Sequence, residues 1–282
     1  MGNDQFNHEE QQRPSSFDQG MDLELTLDEA FVSGSQDEVQ QCADHELELE
    51  TLLRENQIED KLDASAPGLK LVAPSAESDA EELYRYGCDC LARGDWLDAI
   101  QPLQDVAIVA ENDELNANAY ARIGYAQYRL GKPEDAIQSY QRALEKCSGL
   151  RVGHVGLAAA LHRSGAIEEA VEQYQLAAHL SREQPAVYIL LGHLYHRLGR
   201  LHEAQAAYRE VLNLSPDHPL ALLNLGVILA INRQYKDSLP LLERVAALQP
   251  QNWRPAFDLA VVLGRLQRWN EAIDVALDLC RR

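Results

Sequence analysis

Between residues 185 and 218 the large apolar positions fall on two helical stripes. Tyr188, Leu191 and Tyr195 stand at i, i+3 and i+7, and Leu201, Tyr208 and Leu212 form a second stripe after Gly199. This spacing predicts two amphipathic helices joined by a tight turn. Gly192 and Ala204 interrupt the stripes, and the missing side chains let neighbouring helix axes approach to about 8–10 Å. Pro216 closes the second helix, because it lacks an N–H and biases its predecessor away from helical dihedrals.

The unit recurs with a period of 34 residues, in the same register from Ala117, Arg151, Pro219 and Trp253, and from Ala80 with three extra residues before Ala117. Numbering each unit from 1, position 8 is Gly87, Gly124, Ala158, Gly192, Gly226 and Ala260; position 20 is Ala99, Ala136, Ala170, Ala204, Ser238 and Ala272. Position 24 is Leu103, Tyr140, Tyr174, Tyr208, Leu242 and Ala276. This register resembles the tetratricopeptide repeat (TPR) family, a helix-turn-helix unit with small residues at 8 and 20, a bulky one at 24 and Pro near 32. Position 4, often Trp in that family, is Leu83, Tyr120, His154, Tyr188, Leu222 and Ala256, and position 32 is Pro only at Pro216 and Pro250. The resemblance implies an all-α TPR solenoid of six helix-turn-helix repeats at 80–113, 117–150, 151–184, 185–218, 219–252 and 253–282. An acidic, mostly disordered tail and linker at 1–79 precedes it.

Charge divides the chain at the same place. The formal net charge is −20, with 20 acidic and 4 basic residues in 1–79 against 25 and 21 in 80–282. A near-neutral repeat segment behind a polyanionic tail argues against nucleic-acid binding, which needs clustered Lys and Arg to release counterions. Residues 1–20 hold too few large apolar groups to offset the entropy of ordering. Acidic-apolar stretches follow at 22–31 and 46–53, and Val39, Cys42, Leu47, Leu49, Leu52 and Leu53 fit a short amphipathic helix. Two readings stand, a solvated tail with transient helix and a docking motif. Residues 64–76, with Pro67, Gly68 and Pro74, read as a linker.

The start has no basic region followed by an apolar core, and no window approaches ~18 uninterrupted apolar residues. Met1-Gly2 is followed by Phe6, where a myristoylation signal wants Ser or Thr. A cytoplasmic protein without membrane insertion is expected. The five cysteines, Cys42, Cys88, Cys90, Cys147 and Cys280, are odd in number and lack zinc or C-x-x-C spacing, so they read as reduced thiols. Cys88 and Cys90 point to different faces of one helix and do not read as a joint metal site.

Two prolines bear on helix shape. Pro102 lies seven residues past the expected N-cap Asp95, too deep for the first turn, and predicts a kink; Pro240 occupies a similar place, whereas Pro133 fits a helix start. In the last repeat Ala276 replaces the usual Tyr or Leu, and an exposed apolar end is expected.

No phosphate loop, H-E-x-x-H, G-x-S-x-G or G-x-G-x-x-G motif is present. His162, His193 and His196 are acid-base candidates by type alone, and read as surface or groove-lining groups. His193 and His196 lie at i, i+3 without an acidic or Cys partner on their face. The expectation is no catalysis, no cofactor and no metal.

First-helix positions 2, 5, 9, 12 and 13 form one stripe, which in TPR proteins lines the concave, peptide-binding groove. Here it holds Tyr84, Tyr125, Tyr128, Ile189, His193, His196, Leu223, Val227, Phe257 and Val261. Position 13 repeats as Arg129, Arg163, Arg197 and Arg265, with Arg85, Arg122 and Asn224 at position 6. Guanidinium groups pairing carboxylates suit an extended or helical acidic-hydrophobic segment. The plainer reading is that the arginines solvate the rim or pair with neighbouring acids. The Lys and Asn clamp of chaperone-binding TPR proteins is replaced by Tyr84, Cys88 and Arg122. The expected function is a protein-protein interaction scaffold or adaptor. The alternative is a TPR chaperone for a secreted or assembling subunit, as in secretion systems; a third reading is the non-catalytic arm of an enzyme. A contact between the tail and the groove is a further expectation.

Overall fold

A computed structural model describes residues 80–110 and 112–281. The expectations for residues 1–79 lie outside the described residues. Twelve helices pair off along this segment: α1 (Ala80–Arg93) with α2 (Trp96–Val109), α3 (Asp113–Arg129) with α4 (Pro133–Lys146), and α5 (Arg151–Ser164) with α6 (Ile167–Leu180). The series continues with α7 (Pro185–Arg197) and α8 (Leu201–Leu214), α9 (Pro219–Ile231) and α10 (Tyr235–Leu248), and α11 (Trp253–Arg265) and α12 (Trp269–Arg281). The fold is an all-α solenoid of six helix-turn-helix repeats. Among the described residues no helix is long and apolar enough to cross a membrane.

Every turn within a repeat uses one device. Position 15 is left-handed in all six units: Gly94, Gly131, Gly165 and Gly199 at φ 83°, 74°, 92° and 70°, then Arg233 and Gln267, both at φ 59°. The residue after it donates back to the first helix, as in Asp95 N to the Cys90 carbonyl (2.9 Å) and Gln234 N to the Leu229 carbonyl (2.8 Å), which satisfies carbonyls a helix end leaves open. Glycine adopts this backbone without steric cost; Arg and Gln do not.

The three extra residues before Ala117 form an additional N-terminal turn of α3, where Asn112 accepts a hydrogen bond from the Glu114 N–H at 2.8 Å. Asp95 stands at the N-terminus of α2 but makes no side-chain cap; its carboxylate accepts from Arg93 Nε at 3.1 Å instead. Pro102 and Pro240 sit inside α2 and α10, which run on through them. The carbonyls they leave without a donor belong to Asp98 and Lys236, both exposed and open to water.

Packing follows the register. In repeats one, two, four and five position 8 faces position 24: a Cβ at Gly192 would lie 2.8 Å from the Tyr208 ring, and one at Gly87 would lie 2.6 Å from Leu103 Cγ. Position 24 also reaches the next repeat, since a Cβ at Gly156 would lie 2.1 Å from Tyr140 Cζ. Tyr140, Tyr174, Tyr208, Leu103 and Leu242 are fully buried there. One core runs from Tyr84 to Leu229, and a second, in α9 to α11, holds Leu222, Leu242 and Val262. First helices of successive repeats touch directly, α1 with α3, α3 with α5 and α9 with α11; among the described residues second helices make no comparable contact. The first helices therefore form the inside of the curve.

Candidate functional site

The inner face is built from the first-helix stripe. Its thirty positions, five in each of six repeats, hold five arginines, three histidines and a single carboxylate, Glu81. A segment of slightly negative net charge thus collects cations along one side.

The arginines are held in place by the repeat before them or by their own. Arg163 Nη1 donates to the Tyr128 carbonyl at 2.8 Å, with its guanidinium 4.3 Å from the Tyr128 ring centroid. Arg197 Nη1 meets His162 Nε2 at 2.6 Å. A guanidinium has only donors, so this contact needs Nε2 as acceptor and a neutral imidazole. Both contacts join position 13 of one repeat to position 12 of the preceding one. Arg122, at position 6, reaches back likewise, with Nε donating to the Tyr84 hydroxyl at 2.6 Å and the guanidinium 5.3 Å from that ring. Arg129 lies 4.6 Å from the Trp96 ring and 6.0 Å from that of Tyr125, and donates to the Tyr125 hydroxyl at 3.2 Å. Trp96 and Tyr125 meet edge to face at 5.6 Å. Cation–π stacking of this kind fixes a guanidinium in orientation.

The inner face of the first three repeats thus carries three arginine-aromatic clusters, around Tyr84, around Trp96 with Tyr125, and around Tyr128. Histidines follow. His193 is buried and lies edge to face with His162 at 6.2 Å between centroids. His196 is half-buried; burial, then the Arg254 charge, lowers its pKa below the usual histidine value. Arg254 in turn lies 3.9 Å from the buried Asp258 carboxylate.

The remaining expected residues divide. Ile189, Leu223 and Val227 are buried in the cores and pack rather than present surface. Asn224 is half-buried and hydrogen-bonds the Tyr208 hydroxyl, whose pKa burial drives upward. Arg85 is exposed at the position where Arg122 meets a preceding repeat. Arg265 and Val261 are half-buried on α11, and Phe257 is exposed, edge to face with the exposed Trp253 at 6.0 Å. Sequence reasoning missed Trp96, which opens a second helix outside the stripe and reaches the inner face through Arg129 and Tyr125. On the outer side, Gln101, Gln104, Gln138 and Arg142 line a polar cleft of about 350 Å³. Among the described residues no group of three His, Cys, Asp or Glu side chains could hold a metal ion.

Comparison with known proteins agrees with this geometry. Models described as tetratricopeptide repeat match residues 117–149, 185–218 and 232–282, and one described as TPR repeat matches 158–199. None of the curated proteins matches the sequence. Among solved structures, a tetratricopeptide repeat protein from Parabacteroides merdae is 20% identical with a TM-score of 0.57, covering 70% of this chain and 77% of its own. PilF of Pseudomonas aeruginosa is 20% identical with a TM-score of 0.58, covering 72% and 90%. YrrB, described as a TPR protein with an unusual peptide-binding site, is 18% identical with a TM-score of 0.55, covering 61% and 88%. At such identities the likeness extends to the fold alone.

Proposed function

Since the chain belongs to the tetratricopeptide repeat family, whose members serve as protein-interaction scaffolds, we propose that its inner face binds an acidic-hydrophobic segment of a partner protein. The observation that carries this reading is the concentration of arginine and histidine along the inner stripe beside one carboxylate. Guanidinium groups oriented on aromatic rings meet carboxylates in paired hydrogen bonds, and the half-buried Trp96 supplies apolar surface beside Arg129, while the buried Tyr84 and Tyr128 rings back Arg122 and Arg163. The chain works as a non-catalytic adaptor in the cytoplasm, its partner is protein and not nucleic acid, and its cysteines stay reduced.

The test uses two fluorescent peptides of equal length, one alternating Glu and Leu and the other Lys and Leu, titrated into the full chain. The reading expects the Glu peptide to bind, more weakly as salt rises, and the Lys peptide not to bind. Replacing Arg129, Arg163 and Arg197 with Ala is expected to remove binding without loss of helicity. Equal binding of both peptides contradicts it.

The apolar end favours a second reading. Trp269, Ile273 and Leu277 repeat every four residues on α12 and are 61%, 56% and 48% exposed, and Trp253 and Phe257 on α11 are exposed too. A chaperone shielding an apolar segment would use such a surface. It predicts that an uncharged apolar peptide binds independently of salt and that Trp269→Ser with Ile273→Ser abolishes this.

A further inference from the structure

We propose that residues 46–53 of the chain's own tail occupy the arginine-aromatic clusters of repeats one to three and compete there with outside partners. This rests on the inner face reading acidic-hydrophobic segments.

First, the charges are complementary. Residues 1–79 carry 20 acidic and 4 basic side chains, whereas the inner stripe has one carboxylate among its cations. Second, the tail is delivered to the correct end. Residue 80 opens α1, and Tyr84, four residues on, is already the ring partner of Arg122.

Third, the connecting length fits. Residues 54–79 are 26 in number, and a flexible connection of that size spans roughly 28 Å, at about 5–6 Å × √n. First helices packed at about 8–10 Å put α5 roughly 20 Å from α1. The 46–53 segment therefore falls over α3 and α5, where Arg129 and Arg163 stack. The other acidic-apolar stretch, residues 22–31, hangs on a connection nearly twice as long and reaches this place at lower effective concentration.

The segment's chemistry also matches. Glu46, Glu48 and Glu50 alternate with Leu47 and Leu49, and Leu52 and Leu53 follow. In an extended conformation Glu46, Glu48 and Glu50 share one side with Leu52, and Leu47, Leu49 and Leu53 share the other. One side then meets guanidinium groups, and the other meets the half-buried Trp96 ring. A tethered segment acts at an effective concentration on the order of a millimolar, so an intrinsic dissociation constant of about 0.1 mM leaves the site mostly occupied and weakens outside ligands about tenfold.

The test compares the full chain with the full-chain variant Glu46→Gln, Glu48→Gln, Glu50→Gln, which leaves the repeat packing untouched. A labelled synthetic peptide of residues 44–55 is the probe, read by fluorescence anisotropy. The variant is expected to bind it about tenfold more tightly than the parent, with the gap closing as salt rises. Adding Arg122→Ala, Arg129→Ala and Arg163→Ala to the variant is expected to abolish binding. Equal, measurable binding by parent and variant overturns the tail's occupancy while leaving the reading of acidic segments intact. Binding by neither overturns both, and binding that survives the arginine changes overturns the assigned place.

Discussion

The first four repeats and the last two share a register but not its execution. Repeats one to four turn on glycine, whereas repeats five and six put Arg233 and Gln267 into the same left-handed backbone. Repeats two to four bury tyrosine at position 24, where repeat five has Leu242 and repeat six has Ala276. Trp96 and Trp269 occupy the same position, yet Trp96 lies under Arg129 and Trp269 is 61% exposed. No residue of α12 is buried. In an array where each unit contacts only its neighbours, such differences are local stabilities. The inner-face arginine clusters thus sit on the better-packed part of the array, and the looser C-terminal part carries the apolar surface.

The largest effect expected comes from the contact between repeats two and three. Gly156→Ala sets a Cβ 2.1 Å from the Tyr140 ring, which is enclosed and cannot swing away. A loss of about 3 kcal/mol, the upper part of the overpacking range, is expected in urea unfolding followed by circular dichroism. Gly226→Ala, opposite the flexible Leu242 side chain at 2.9 Å, is expected to cost clearly less. Equal costs would erase the distinction between rigid and adaptable contacts.

The turns come next. A Cβ at Gly165 meets nothing within 4 Å, so Gly165→Ala isolates the backbone term and is expected to cost about 1 kcal/mol. Arg233→Gly and Gln267→Gly run the other way, each gaining about 0.5–1 kcal/mol after the entropy of glycine is subtracted. If both glycine variants melt earlier than the parent, the last two turns are not strained.

Smaller still is the hydroxyl pair. Tyr208 hydrogen-bonds Asn224, while the buried Tyr174 hydroxyl has no hydrogen-bond partner among the described residues. In register, Leu190 stands before Tyr174 where Asn224 stands before Tyr208. Tyr208→Phe is expected to cost about 1 kcal/mol and Tyr174→Phe about nothing or a slight gain, read from the same unfolding curves.

The smallest effect is a titration. Burial and Arg254 lower the pKa of His196 from 6.5, so the folded state prefers the neutral ring. Its stability contribution is complete above pH 6.5 and is lost as pH falls through the depressed folded value. His196→Gln is expected to flatten that part of the acid limb of stability against pH; an unchanged limb contradicts the assignment.

Much of this architecture was legible in the chain. Gly192 and Ala204 mark the close approaches and Tyr208 the bulk that fills them, because packing against identical neighbours repeats a residue pattern every 34 positions. The site was legible only as a stripe. Ile189 belongs to the stripe by position yet is buried, because the turn of a helix by 100° per residue puts position 5 partly under the adjacent repeat. Trp96 lies outside the stripe and joins it through a guanidinium from another helix. Spacing along one helix carries no information about such contacts.

The central claim, that the inner face of the well-packed repeats takes the partner, is tested most directly by hydrogen exchange. The full chain with Glu46→Gln, Glu48→Gln and Glu50→Gln, saturated with the alternating Glu and Leu peptide, is compared with the same protein alone. The account predicts slowed exchange in α3, α5 and α7, with the exposed faces of α4, α6 and α8 and all of α12 unchanged. Slowing confined to α11 and α12, or to the second helices, would contradict it.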